Sequence, residues 1–172
     1  MPTDLLVITA SHGENLRLAE RCAACAQGRG LHAEVLDLTE LPLPLYTSRR
    51  HADEGIPAEV AGLSQRLAAA PRWLICAPEY NGSIPPVLTS AIAWLTVQGD
   101  DFRALFNGRP IAIATHSGGG GVEVLTVLRI QLAHLGAHVV GRQLVATQAN
   151  PAKDESIDDL IGRLSQLQPI EL

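Results

Sequence analysis

Three short loops carry most of the chemistry available to this chain of 172 residues. They are Thr9-Ala10-Ser11-His12-Gly13-Glu14-Asn15-Leu16, Cys76-Ala77-Pro78-Glu79-Tyr80-Asn81-Gly82-Ser83-Ile84-Pro85-Pro86 and Thr115-His116-Ser117-Gly118-Gly119-Gly120-Gly121. Each follows a short apolar run and opens a segment with helical spacing. A loop so placed turns free backbone N–H groups, and the positive end of a helix dipole, toward whatever rests on it.

In the first loop Ser11 and Asn15 offer side-chain donors, and Gly13 lets a ligand approach the backbone closely. Two uses fit these residues: holding a single terminal phosphate, or only shaping the turn and capping the helix. Glu14 suits the dipole, yet it repels a phosphate unless it points away. Neither G-x-G-x-x-G nor G-x-x-x-x-G-K is present, which weakens dinucleotide and P-loop readings.

The second loop carries the turn signal Asn81-Gly82 at the end of an apolar strand and just before a helix. A turn there forms a shelf of exposed N–H and C=O groups. A planar heterocycle with alternating donors and acceptors can use such a shelf. Tyr80 either walls that ring or covers the edge of the core. The third loop places four consecutive glycines between strand and helix, a backbone surface without side chains that a ligand can approach. His116 is open to either a structural or a ligand-contacting role.

The elements that must position these loops alternate along the chain. Strand-like runs are expected at Leu5–Thr9, His32–Leu38, Trp73–Ala77, Ile111–Thr115 and His138–Val145. Helical spacing covers Glu14–Gly28, a segment from Pro57 to about Ala70, Ile84–Val97, Val122–Leu135 and Lys153–Leu167. Leu41-Pro42-Leu43-Pro44-Leu45 reads as a loop, because its prolines lack donors and restrict their neighbours. Five strands alternating with five helices imply a parallel sheet covered on both faces. Ligands then bind beyond the carboxyl ends of the strands, where the three loops lie. No repeat or composition shift suggests a second domain, so one domain over residues 1–172 is expected.

Apolar residues make up 47% and charged ones 18%, the profile of a chain with a sizeable core. The net charge of −5 and the absence of a basic stripe argue against a nucleic-acid partner. No apolar run approaches a membrane span. Met1-Pro2-Thr3-Asp4 leads straight into a strand without a basic n-region, so a cytoplasmic protein is expected. Three cysteines, an odd number, fit a reducing compartment. Cys22 and Cys25 form C-x-x-C inside a helical pattern and read as two small hydrophobes rather than a redox pair. A metal site there needs two further ligands, and none is visible.

Together the loops resemble those of the NADPH-dependent FMN reductase family, which includes quinone, azo-dye and chromate reductases. The resemblance runs from Leu5 to about Val140. It is carried by Pro78-Glu79-Tyr80-Asn81-Gly82-Ser83-Ile84-Pro85, continuing through Ala91-Ile92-Ala93-Trp94-Leu95, with support from Leu41-Pro42-Leu43-Pro44 and Ser117–Gly121. It implies a flavodoxin-like three-layer α/β sandwich with a five-stranded parallel sheet in the order 2-1-3-4-5. It further implies FMN as cofactor and NAD(P)H as hydride donor. By the same resemblance Ser11, His12, Gly13, Asn15 and Leu16 would hold the FMN phosphate. Pro78, Glu79, Tyr80, Asn81, Gly82 and Ser83 would line the isoalloxazine, and His116, Ser117, Gly118, Gly119 and Gly120 its pyrimidine side. Two departures stand out. The first loop is contracted and lacks the family's usual Arg and additional Ser, and Pro86 stands where Gly is common.

The activity implied is ping-pong hydride transfer from NAD(P)H, by way of the flavin, to a quinone, free flavin or similar small acceptor. The chemistry belongs to the cofactor, so no catalytic side chain is assigned. A homodimer or homotetramer is implied, with the Trp94 helix at the interface or Trp94 buried within one subunit. The rival readings are a flavodoxin-like electron carrier and a degenerate, non-catalytic binding module.

Overall fold

The computed structural model describes residues 2–170. Its elements run β1 (Leu5–Thr9), α1 (Glu14–Gly28), β2 (Ala33–Asp37), α2 (Ser48–Glu54), α3 (Ala58–Ala69), β3 (Trp73–Cys76), α4 (Pro86–Thr96), β4 (Pro110–His116), α5 (Val122–His134), β5 (His138–Val139), β6 (Leu144–Ala146) and α6 (Asp154–Ser165). The sheet is parallel, in the order β2-β1-β3-β4-β5, with β6 also paired to β4. This is the flavodoxin-like order expected from the resemblance.

Alternation along the central strands divides the core between two faces. Leu6, Ile8, Trp73, Ile75, Ile111 and Ile113 pack on the side covered by α3, α4 and α5. Leu5, Val7, Leu74, Cys76, Ala112 and Ala114 pack on the side of α1 and α6. Small residues dominate that second contact, with Ala19, Ala23 and Ala26 of α1 against Ala112 and Ala114, so α1 sits close to the sheet. Thr9, Cys76 and Ala114 are in register. The loops after β1, β3 and β4 therefore leave from one edge of the sheet.

Four sequence expectations need correction. The last strand is not continuous from His138 to Val145. From Val139 to Leu144 the chain advances five residues while its partner advances only three, Ile111 to Ala114. The excess leaves the ladder at Gly141–Gln143. The Arg129 guanidinium fills the gap by donating to the Val140 carbonyl (3.0 Å) and to Gln143 Oε1 (3.1 Å). A sixth helix, α2, lies outside the five expected from helical spacing. It buries none of its residues and is held by a Thr47 cap on the Arg50 N–H and by the pairs Arg49–Asp53 and Arg50–Glu54. An apolar pattern could not reveal it, although the i,i+4 charge spacing could.

The other two are boundary shifts. Leu38 leaves the second strand for a single 3₁₀ turn, because Asp37 Oδ1 accepts from the Thr39 N–H (2.8 Å). The third expected helix starts at Pro86 rather than Ile84, since a residue preceding proline favours extended backbone and Pro85 adopts it (ψ 146°). Among the described residues no helix is long and apolar enough to cross a membrane.

Candidate active site

The first loop ends at Gly13, whose φ of 101° lies outside the range that side chains favour. Gly13 precedes α1 and has no side chain to cap it, so the N–H groups of the first turn face outward without a protein acceptor at the cap. Thr9 Oγ1 donates to the Ser11 carbonyl (2.9 Å) and fixes the turn from below. Ser11, Gly13 and Leu16 are half-buried and His12 is exposed. Glu14 forms an ion pair with Arg17 and lies 3.9 Å from His116 Nδ1, so its carboxylate is drawn along the helix.

Asn15 does something that its sequence position did not reveal. Its side chain is buried, and both amide atoms bond the backbone of one residue in the third loop. Nδ2 donates to the His116 carbonyl and Oδ1 accepts the His116 N–H, each at 2.9 Å. The pair clamps the first loop to the third.

In the second loop Tyr80 and Ser83 exchange two backbone hydrogen bonds, at 3.1 and 3.0 Å. Asn81 (φ 52°) and Gly82 (φ 70°) turn between them, the left-handed pair that a tight turn of this hand requires. Pro78 is buried beneath the shelf. Tyr80, with 49% of its surface exposed, stands on it.

Glu79 reaches out of the shelf. Its N–H donates to Ser117 Oγ (2.8 Å), and its Oε2 accepts the Val124 N–H (3.2 Å) in the first turn of α5. Ser117 Oγ is hydrogen-bonded to Thr115 Oγ1 (2.8 Å), and that hydroxyl donates to the Ala77 carbonyl (2.6 Å). A hydroxyl chain thus joins the second and third loops below the surface. Above it, a Cβ added at Gly118 or Gly120 would meet nothing within 4 Å. Gly121 is different: φ is 71°, and a Cβ would lie 2.5 Å from Thr115 Cγ2.

The structure therefore brings together all three groups of sequence-nominated residues. It gives Asn15, Glu79 and Ser117 bonds that hold the loops to one another. Thr115, buried in the strand and not singled out by the sequence, is the fourth member of that framework. His12 also lies near Asp37 (3.9 Å) and Glu40, at the end of β2. No spacing within one loop could have revealed that proximity.

FMN fits these residues on two observations. The uncapped start of α1 offers N–H groups to a phosphate, and the glycine run offers open backbone to a flat ring. A groove of about 990 Å³ lies elsewhere, between α1 and α6. Arg21 pairs there with Asp154 (2.6 Å) and Arg29 with Asp158 (2.8 Å). Cys25 opens onto it, its thiol pushed above the ordinary value first by burial and then by Asp158. Burial, and then the Cys22 thiol, do the same to Cys76. A raised thiol is a poor nucleophile, which fits the reading of Cys25 as a small hydrophobe, and Cys22 is fully buried in the core.

Fold and loops together define a flavodoxin-like protein whose candidate site lies at the carboxyl ends of β1, β3 and β4. The chain belongs to the NADPH-dependent FMN reductase family, whose sequence profile matches residues 3–151. A quinone reductase of Escherichia coli (strain K12) is 34% identical over 132 residues, 73% of this chain and 68% of the relative. An NAD(P)H-dependent FMN reductase of Pseudomonas aeruginosa is 31% identical over 151 residues, 83% and 78% of the two chains. Among solved structures, the flavoenzyme NAD(P)H:(acceptor) oxidoreductase FerB of Paracoccus denitrificans shares the fold. Its TM-score is 0.72 at 23% identity, covering 95% of this chain and 98% of that one.

Proposed function

We propose that this protein is an FMN-dependent NAD(P)H oxidoreductase acting on quinones, free flavin or similar small acceptors. One observation carries the reading. Three loops are locked together by hydrogen bonds from buried side chains, while the surface they present, α1's first turn with Gly118 and Gly120, is left open. A site assembled before its ligand arrives spends little free energy on ordering.

In this reading the backbone around Ser11, His12, Gly13, Asn15 and Leu16 receives the phosphate, with Asn15 acting through the clamp. Pro78 to Ser83 support the ring, and His116 to Gly120 face its pyrimidine edge. FMN supplies the hydride-transfer chemistry when bound, and the chain supplies orientation. Tyr80 is half-exposed and stands alone on the shelf. That leaves one ring face accessible to a nicotinamide and then to an acceptor, which favours an enzyme over a shielded electron carrier.

A homo-oligomer belongs to the same reading. Trp94, one candidate for an interface, lies wholly inside the subunit and donates to the Pro44 carbonyl (2.8 Å). The exposed Val127 and Ile130 of α5 and the nearby Phe102 are the better support for association. Three free cysteines suit the cytoplasm, which the reading assigns as the protein's location.

The visible spectrum of the purified protein, followed by anaerobic addition of NADPH, tests the proposal. A yellow protein that NADPH bleaches, and that a quinone re-oxidises, is the expected result. A protein that FMN cannot turn yellow would sink it. A yellow protein that neither NADPH nor NADH bleaches would make it a carrier.

A further inference from the structure

The negative charge at the third loop belongs to a residue of the second. α5 has no cap of its own, because Gly121 at its start carries no side chain. The Glu79 carboxylate takes that place from another loop. Oε2 accepts the Val124 N–H, and Oε1 lies 3.6 Å from where a Gly119 Cβ would stand. The backbone of Glu79 is held as well, through Ser117 Oγ. Among the described residues no Lys, Arg or His forms an ion pair with it. An unneutralised carboxylate thus sits at the positive end of a helix of 13 residues, beside the glycine run.

A helix N-terminus pointing at a flavin would favour the reduced form, because reduction adds negative charge to the pyrimidine edge. We propose that Glu79 cancels this bias and sets the redox balance of the site, holding bound FMN at a potential from which electrons pass readily to the acceptor. The inference rests on the FMN reading above and deepens it. Glu79 is a positioning residue here: it acts through charge and through the geometry of α5, not by contact with a reacting atom.

The test compares wild type, Glu79→Gln and Glu79→Asp. For each, affinity for oxidised FMN is read by fluorescence quenching, and the midpoint potential of the bound flavin by equilibration with a reference dye. Gln keeps an acceptor for Val124 and removes the charge, whereas Asp keeps the charge. Glu79→Gln is expected to favour reduced over oxidised FMN by about tenfold, a rise of about 30 mV for a two-electron couple. Glu79→Asp is expected to leave the potential near that of wild type even where FMN binds more weakly.

A potential unchanged or lowered in Glu79→Gln overturns the inference. So does loss of FMN binding in Glu79→Gln with normal binding in Glu79→Asp, because the charge would then serve binding and not the potential, and so does loss in both, because Glu79 would then only hold the loops in place. A wild-type protein that binds neither form of FMN overturns the functional reading first, and this inference with it.

Discussion

Two of the helices that begin at the site, α1 and α5, start in opposite ways. Glycine precedes both, and neither has a local side-chain cap. α5 receives the Glu79 carboxylate from across the site, so its positive end is neutralised inside the protein. α1 receives nothing at its cap, and its own Glu14 is drawn toward Arg17 and His116. The lesson is a division of labour between chemically similar termini. The uncapped one is available to an anion, and the capped one is available only as a rigid surface. If the comparison is right, substitutions near α5 should first damage the scaffold, and substitutions near α1 should first change the affinity for FMN.

The largest effect is expected at Gly121. A methyl group there meets Thr115 Cγ2 at 2.5 Å, on backbone with φ 71°. Gly121→Ala should cost about 3 kcal/mol from strain and overpacking together, lowering the melting temperature of the apoprotein by roughly 6–12 °C. Calorimetry without FMN checks it. A shift under a couple of degrees would mean that the glycine-to-helix junction is looser than its geometry.

Asn15→Ala comes next and probes the bond between the two regions. It leaves the His116 N–H and carbonyl without the partners that Asn15 gave them, at a cost of about 2–3 kcal/mol. The first loop should then lose its alignment with the third, and FMN affinity should fall about tenfold or more. Melting temperature and FMN dissociation constant are both needed. A lower melting temperature with unchanged affinity would show that the clamp stabilises without positioning.

Much of this was legible in the sequence because strands buried on both faces announce themselves as apolar runs. Leu5–Thr9 and Trp73–Cys76 needed only that signal. The edge was harder. The strand after α5 is interrupted because Arg129, a residue of the preceding helix, takes over its hydrogen bonds, and no local pattern encodes that. α2 was hidden because it buries nothing and is held by charge pairs. Within the site the loops could be found from glycine and turn chemistry, but the tasks of their residues could not. Asn15 reads as a phosphate donor until His116 lies opposite it, and Glu79 reads as ring lining until Val124 does. Both contacts join residues 45 or more apart in the chain. Such roles are decided by topology.

The smallest predicted effect separates the two termini most cleanly. Glu14 is half-exposed, so its repulsion of a phosphate at α1 is partly screened by water and partly offset by Arg17. Glu14→Gln removes that repulsion and frees Arg17 to face the anion, while the backbone N–H groups of the first turn stay as they are. Helix-terminal charges at exposed sites contribute about 0.3–1 kcal/mol, so affinity for FMN should rise roughly two- to fivefold. Affinity for riboflavin, which has the ring but no phosphate, should stay the same. The gain should fade as salt approaches about 1 M, where the screening length falls to about 3 Å. Titrations of both ligands at low and high salt read all of this. An equal gain for riboflavin would place the effect at the ring, and the contrast between an anion-binding α1 and a capped α5 would fail.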